Sequence, residues 1–364
     1  MSYTFTYGSG TEQDPYQVWT AEDLDGVRDH QNAHFIQMDD IDLDGIDWQP
    51  IGDWSNHFAG KINFNFKTIS NLYISATTVF NKGLGGLFAY INSGRIEGLN
   101  LINFTIGDIG QWFYWVGSIS GYTENINIAK CYIADGSVKG TGWVGGMFGT
   151  FHGHFEQCGI RNVEVYGDEV VGGFAGQLLI DPDECAGGNS YAIGSIQESG
   201  DTTKTQWGGF AGAIQQTGSA SSWTGNEEIE NCYAVCELIN PGGKSGGFAG
   251  DTAGPSGYPE PKATNCYWDD NVAGIGSSYH GEPRTTAQMV YPYTAKHASG
   301  TYVDWEFEEK HITDLTNFDF VFGDPPIWTH DVHHTINDGY PPFLSSLIVR
   351  GESIPFLFKV PYWE

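Results

Sequence analysis

Basic residues are scarce in this chain: 16 Lys and Arg stand against 45 Asp and Glu, a formal net charge of −29. Phosphate backbones are held by clustered Lys and Arg, so nucleic acid is excluded as a partner. Long apolar runs are missing as well, and no stretch approaches the ~20 residues a membrane-spanning helix needs, which excludes insertion of that kind. The opening Met1-Ser2-Tyr3-Thr4-Phe5 shows no basic-then-apolar segment that would direct export. No helical period of useful length occurs between residues 34 and 270. Walker loop, Rossmann fingerprint and Ser-His-Asp arrangement are absent, and scattered Gly-x-Gly matches mean little among 50 glycines. No Pro/Ser linker or charge run divides the chain.

What the chain has is a repeat. A six-residue unit begins at Gly85, Gly117, Gly145, Gly172, Gly208 and Gly246, at spacings of 32, 28, 27, 36 and 38 residues. It reads Gly-Gly-Phe-Ala-Gly-x in its fullest form, as at Gly172-Gly173-Phe174-Ala175-Gly176-Gln177. Periods in this range mark stacked supersecondary elements. A second strip recurs between the units, as in Glu156-Gln157-Cys158-Gly159-Ile160 and Glu230-Asn231-Cys232-Tyr233-Ala234. A third comes after it in several repeats, as in Asn162-Val163-Glu164-Val165-Tyr166. Each strip is short, alternating and rich in Val, Ile, Phe or Tyr, which reads as strand. Three strands per repeat with glycine at the bends predict an all-β, right-handed parallel β-helix over residues 35–284. A propeller would need four strands per blade, and a sandwich has no reason to repeat a glycine pair.

Gly-Gly-Phe-Ala-Gly followed one strand later by Asn-Cys-Tyr resembles the GLUG-repeat proteins. The segment Gly8 to Tyr16, then Thr20-Ala21-Glu22-Asp23-Leu24, resembles the block that precedes such repeats. Asp304-Trp305, Ile327-Trp328 and Asn337 to Pro341 resemble the tail of those proteins. The resemblance covers roughly residues 8 to 344. It implies a right-handed parallel β-helix and a surface or adhesive role on cells or virions, with no shared catalytic residues.

The ends read as covers. Thr20 as N-cap and acidic residues in the first turn predict a short helix of about three turns within an N-terminal cap, residues 1–34. Its Leu24, Val27 and His30 would close the open end of the repeat, since unpaired strand edges invite association. Residues 285–364 lack the glycine unit and are expected to form an irregular C-terminal cap. The apolar stretch from Ile354 to Trp363 is expected to pack on its own domain or on a neighbouring copy. A homo-oligomer, such as a trimer, is the expectation for such a shaft.

Four of the six cysteines, Cys131, Cys158, Cys232 and Cys266, hold one strip position, with Ser190 in the slot between. They read as a column of small buried thiols, whose stacked side chains point in parallel. Cys185 and Cys236 lie off it. Asp40-Ile41-Asp42-Leu43-Asp44-Gly45 matches the first six positions of a helix-loop-helix calcium loop, although Ile51 holds the place of the final glutamate. Calcium on Asp40, Asp42 and Asp44 competes with an alternating strand that turns these three outward. His330, Asp331, His333 and His334 could ligate a transition metal or simply line a surface loop.

Three successive bends after the glycine unit are long, at residues 178–188, 215–228 and 251–263. Equivalent insertions in a repeat array project from one side and often form the binding face. The candidate ligand-binding residues are Asp181, Asp183, Glu184, Trp223, Glu227, Glu228 and Tyr258, rings beside carboxylates being suited to sugars. A second aromatic group, Trp112-Phe113-Tyr114-Trp115 with Trp143 and Trp207, is expected to be mostly core, any exposed remainder marking a contact patch. The expectation is a non-enzymatic virion tail, spike or fibre protein that contacts a host-surface glycan or receptor and other virion proteins. The alternatives are a glycan-degrading spike using the loop carboxylates and a secreted bacterial surface adhesin.

Overall fold

A computed structural model describes residues 2–75, 83–107, 113–181, 187–198, 206–217, 228–251, 261–290 and, singly, 301, 302, 305 and 340. The chain divides into two units, Met1–Thr286 and Ala287–Glu364.

The first unit is all-β, and its strands among the described residues lie in a 14-stranded, a 10-stranded and a 6-stranded sheet. Within each sheet the neighbours are parallel, and successive repeats supply successive strands. Four ladders result. The first holds Leu84–Gly85, Trp115–Val116, Trp143–Gly145, Val170–Gly172, Gln206–Gly208 and Lys244–Gly246. The second, reached through the glycine unit, holds Phe88–Asn92, Ser120–Glu124, Phe148–Glu156, Ala175–Ile180, Ala211–Gln216 and Ala249–Asp251. The third starts at Tyr16–Val18 and ends at Lys262–Thr264. The fourth runs from Ile41–Asp42 to Glu282–Arg284.

Four ladders replace the three strands per repeat expected from the strips. The glycine unit accounts for the difference, since a strand lies on each side of it, as Trp143–Gly145 and Phe148–Glu156 do; the latter pairs in both the second and third ladders and fuses them into one sheet. It bends at Gly153, whose φ of +146° suits glycine, and whose added Cβ would lie 2.1 Å from Ile126 O. Parallel pairing also begins earlier than residue 35, since Tyr16–Val18 pairs with His34–Gln37.

The glycine unit is explained by contact between repeats. A Cβ on Gly173 would lie 2.2 Å from Gly209 O, and one on Gly209 would lie 2.1 Å from Gly247 O. The second glycine therefore stacks on the carbonyl of its counterpart, one strand spacing away. Inside the unit the apolar third residue forms a column. Phe174 and Phe210 are 4.7 Å apart at 5°, and Phe210 and Phe248 are 4.9 Å apart at 2°. Such stacking adds to area burial in holding neighbouring repeats together.

The cysteine column forms as expected. Cys131, Cys158, Cys232 and Cys266 are buried free thiols, and each donates to the carbonyl two residues back, at 3.2–3.4 Å. Ser190 Oγ makes the equivalent bond to Gly188 O at 2.9 Å, which is why serine fits that slot. Lys130, Gln157, Asn189, Asn231 and Asn265, just before the column, all have φ between 48° and 55°. Asparagine tolerates this left-handed turn well, so the Asn-Cys-Tyr strip reads as turn, inward thiol, strand.

The N-terminal helix is shorter than three turns. It comprises Ala21–Gly26 with a 3-10 turn at Val27–Asp29, opened by a capping box between Thr20 and Asp23. Leu24 and Val27 join the core, while His30 stays half-buried and bonds to Tyr3 O at 2.7 Å. In the second unit, buried Tyr302 donates to Met289 O at 3.0 Å and packs 4.6 Å from Trp305. His330, Asp331, His333, His334 and the stretch 354–363 lie outside the described residues.

Candidate functional site

The insertion bases are stacked. Ala175–Ile180, Ala211–Gln216 and Ala249–Asp251 are successive strands of the second ladder. The chain re-enters the third ladder at Gly187–Gly188, Glu228–Glu230 and Lys262–Thr264, again successive. All three insertions thus interrupt the same bend, the one that Phe148–Glu156 turns without interruption. Asp181 accepts from Thr217 Oγ1 at 3.2 Å and lies 3.8 Å from His152 Nε2. Glu228 pairs with Lys262 Nζ at 3.8 Å. Asp183, Glu184, Trp223, Glu227 and Tyr258 lie outside the described residues, as does Cys185.

Asp40, Asp42 and Asp44 are exposed, while Ile41 and Leu43 are buried. Asp40 Oδ1 accepts from Thr68 N at 2.8 Å. Asp42 Oδ1 accepts from Asn71 Nδ2 at 2.7 Å and Asp44 N at 3.0 Å. The Asn71 bond, followed by that from Asp44, lowers the Asp42 pKa. Among the described residues no three His, Cys, Asp or Glu gather where a metal could be held.

The face that stands out lies at the corner between the first two ladders. In the first ladder Leu84, Trp115, Trp143, Val170, Gln206 and Lys244 are in register. In the second, Tyr90, Tyr122, Thr150, Gln177, Ala213 and Asp251 are in register. The second column is the sixth residue of the glycine unit in every repeat. The columns meet at both ends. Trp115 lies edge-on to Tyr122 at 6.2 Å, and Gln206 Nε2 and Lys244 Nζ each donate to Asp251 Oδ2 at 2.7 Å. Fifth-place glycines permit this approach: a Cβ on Gly121 would lie 2.6 Å from Trp115 O.

One end of the corner is aromatic. Trp115 and Trp143 stack at 5.3 Å and 6°, and Tyr114 packs edge-on against both, at 4.6 and 4.9 Å. Trp54, 36% exposed, closes that end at 5.0 Å from Tyr90, 5.2 Å from Tyr122 and 5.8 Å from Trp115. Leu84, Ala89 and Tyr90 form a small buried cluster apart from the main core, with Trp115 and Tyr122 packed on it. Tyr90 Oη donates to Glu124 Oε2 at 2.7 Å, and Tyr114 Oη to Glu169 Oε2 at 3.2 Å. Burial, then Glu124, pushes the Tyr90 phenol above its usual range, and burial, then Glu169, does the same for Tyr114. Both hydroxyls stay protonated donors.

This group is less buried than expected: Phe113 and Trp207 point into the core, whereas Tyr114, Trp115 and Trp143 are half-exposed; Trp112 is outside the described residues. Spacing from the glycine pair separates the two sets. Trp115 and Trp143 precede their units by two residues and face outward, while Trp207 precedes its unit by one and faces inward, since one residue flips the face. Nothing in the sequence pattern alone marks Trp54, Tyr90 and Tyr122 as members of the same patch.

No family model matches the chain. A protein named "Putative Gly-rich membrane protein" from Evansella cellulosilytica is 37% identical over 108 residues, 28% of this chain and 12% of its own. A protein named "Halomucin" from Haloquadratum walsbyi is 28% identical over 158 residues, 39% of this chain and 2% of its own. The chain thus spans only a small part of either relative. Among solved structures, a "putative immunoglobulin A1 protease" from Bacteroides ovatus superposes with a TM-score of 0.62 over 94% of this chain and 95% of its own. At 19% identity that likeness concerns the fold alone. Among the described residues no helix is long and apolar enough to cross a membrane, which says nothing of β-barrels.

Proposed function

We propose that residues 16–284 form a right-handed parallel β-helix serving as a non-enzymatic adhesion or structural module of a surface or secreted protein, and that its corner of rings contacts a surface glycan. Sequence-ordered parallel ladders support the helix. The names of the membrane-protein and halomucin relatives support a surface setting. Neither carries a virion description, so the surface arm of the expectation is taken here.

The observation that carries the reading is the half-exposed platform of Trp54, Trp115, Trp143 and Tyr122 beside Glu124 and Asn92. Ring faces pack on the apolar faces of sugars, while carboxylate and amide groups take their hydroxyls. Exposed aromatic patches rimmed by polar groups mark contact sites. Binding of the full chain to an array of neutral and acidic oligosaccharides tests it. Neutral sugars are expected to be retained, and Trp115→Ala, with unchanged circular dichroism, is expected to weaken retention roughly tenfold, the ~1.4 kcal/mol of one well-packed ring. Retention of no sugar, or equal retention by the variant, overturns it.

A further inference from the structure

The rings occupy only one half of the corner. Beyond Trp143 and Thr150 the columns carry buried Val170 and Ala213 together with polar Gln177, Gln206, Lys244 and Asp251, and Gln177, Gln206 and Lys244 are the ones that reach the surface. The polar half is internally wired. Thr150 Oγ1 donates to Gln177 Oε1 at 3.3 Å, and Gln177 Nε2 donates to Gln215 Oε1 at 2.7 Å. Gln206 Nε2 is held by Asp251. These bonds fix the amides while leaving Gln215 Nε2 as a donor and Gln206 Oε1 as an acceptor with no partner among the described residues. All three glutamines are half-buried, so water or a ligand reaches them.

Six strands in register span five strand spacings, ~24 Å at ~4.8 Å each. A ligand engaging both halves must therefore be long and must lie along the stacking direction, crossing the strands. The charge narrows its chemistry. Lys244 is the cation of the two columns, and it is paired with Asp251 at 2.7 Å. Glu124 and Glu169 flank the aromatic end, and the whole chain carries −29. Among the described residues of the corner no unpaired cation faces an acidic polymer, whereas fixed amides suit uncharged hydroxyls.

We infer that the corner is a single elongated subsite array for an extended neutral polysaccharide, with rings gripping one end and the Gln177–Gln215–Gln206 amides reading hydroxyls at the other. This rests on the glycan reading above and adds direction, length and specificity residues to it. A pyranose unit of an extended chain advances by a distance comparable to one strand spacing, so successive sugars meet successive repeats.

The test is calorimetric titration of the full chain with cello-, manno- and chito-oligosaccharides of two to six units. Affinity in at least one series is expected to climb with length and level off at about five units, the number of strand spacings. The double variant Gln177→Ala/Gln215→Ala is expected to bind dimers normally and to lose roughly fivefold to tenfold on pentamers, about one hydrogen bond's contribution. Trp115→Ala is expected to weaken every length. Circular dichroism and the urea midpoint control for folding. Length-independent affinity, or a double variant indistinguishable from the parent on pentamers, overturns the array while leaving the aromatic contact standing. Failure of all three series to bind overturns both.

Discussion

Gly209→Ala should unfold this protein more easily than any side-chain count suggests. The new methyl would sit 2.1 Å from Gly247 O and 3.1 Å from Ala234 Cβ, whereas ordinary contact begins near 3.4 Å. The strand of the next repeat would have to retreat by 3.4 less 2.1, about 1.3 Å. That strand is tied by Phe210 N to Phe248 O at 2.8 Å, Ala211 N to Phe248 O at 3.0 Å and Gly209 N to Gly246 O at 3.2 Å. A retreat of that size breaks at least one or two of these bonds, at about 1 kcal/mol each. Overpacking adds roughly 1–3 kcal/mol, because the obstacle is backbone and cannot rotate away. Together these come to about 2–5 kcal/mol. Gly276→Ala is the control: nothing lies within 4 Å of its added Cβ, and its backbone is outside the left-handed region. It should be neutral or stabilising by up to ~1 kcal/mol. Urea unfolding followed by far-ultraviolet circular dichroism reads the difference, and a thermal scan should show a loss on the order of 5–10 °C for the first variant. Coincident midpoints for the two variants would refute carbonyl stacking as the reason for the second glycine.

The same packing sets other outcomes. Phe210→Ala removes the middle ring of a three-ring column and should cost about 3–5 kcal/mol by urea unfolding, more than Phe248→Ala at the end of that column. Thr20→Ala breaks the capping box and should cost ~0.5–2 kcal/mol, read by the same assay. Burial pushes the Cys236 thiol from its ordinary 9.0 up to about 12 and raises Cys131 and Cys232 as well. The folded chain holds these protons more tightly than the unfolded one, so the stability they add is complete below pH 9 and declines as pH rises toward 12. Urea midpoints between pH 8 and 11 should fall with pH, and less steeply in Cys236→Ala. At pH 8 the five buried cysteines should resist iodoacetamide until urea is added, as read by mass spectrometry.

Much of the architecture could be read from residues whose neighbours recur with them. The glycine unit, the thiol column and the Asn turn recur together and in the same order although the repeats run from 27 to 38 residues, so stacking in register can be read from the recurring units themselves. The inward Phe174, Phe210 and Phe248 come with it. The count of strands per repeat did not, because the glycine unit reads as one strip while its paired glycines divide two strands, as between Trp143–Gly145 and Phe148–Glu156. The corner was half visible. Tyr90, Tyr122, Thr150, Gln177 and Asp251 all occupy the sixth place of the unit, a column any alignment of the units displays. What no spacing reveals is that this column faces Trp115 and Trp143 across a bend. That depends on how closely two ladders meet, which the fifth-place glycines permit, as Gly121 does against Trp115 O. Trp54 was harder still, since it belongs to a segment before the first unit that joins the second ladder only by the isolated bridges Ile51 to Phe88 and Phe58 to Ile91.

The bend between the second and third ladders tolerates anything from no extra residue, where Phe148–Glu156 passes straight through, to the stretch between Gln216 and Glu228. Lengthening a closed excursion is thermodynamically cheap, each doubling costing only ~0.6 kcal/mol. The glycine corner, a few residues upstream, cannot accept one methyl. Variation in length is thereby absorbed where the ladders hand over and not inside the glycine unit: new sequence can be grafted at such a bend, by evolution or by hand, without the stacked repeats having to learn of it.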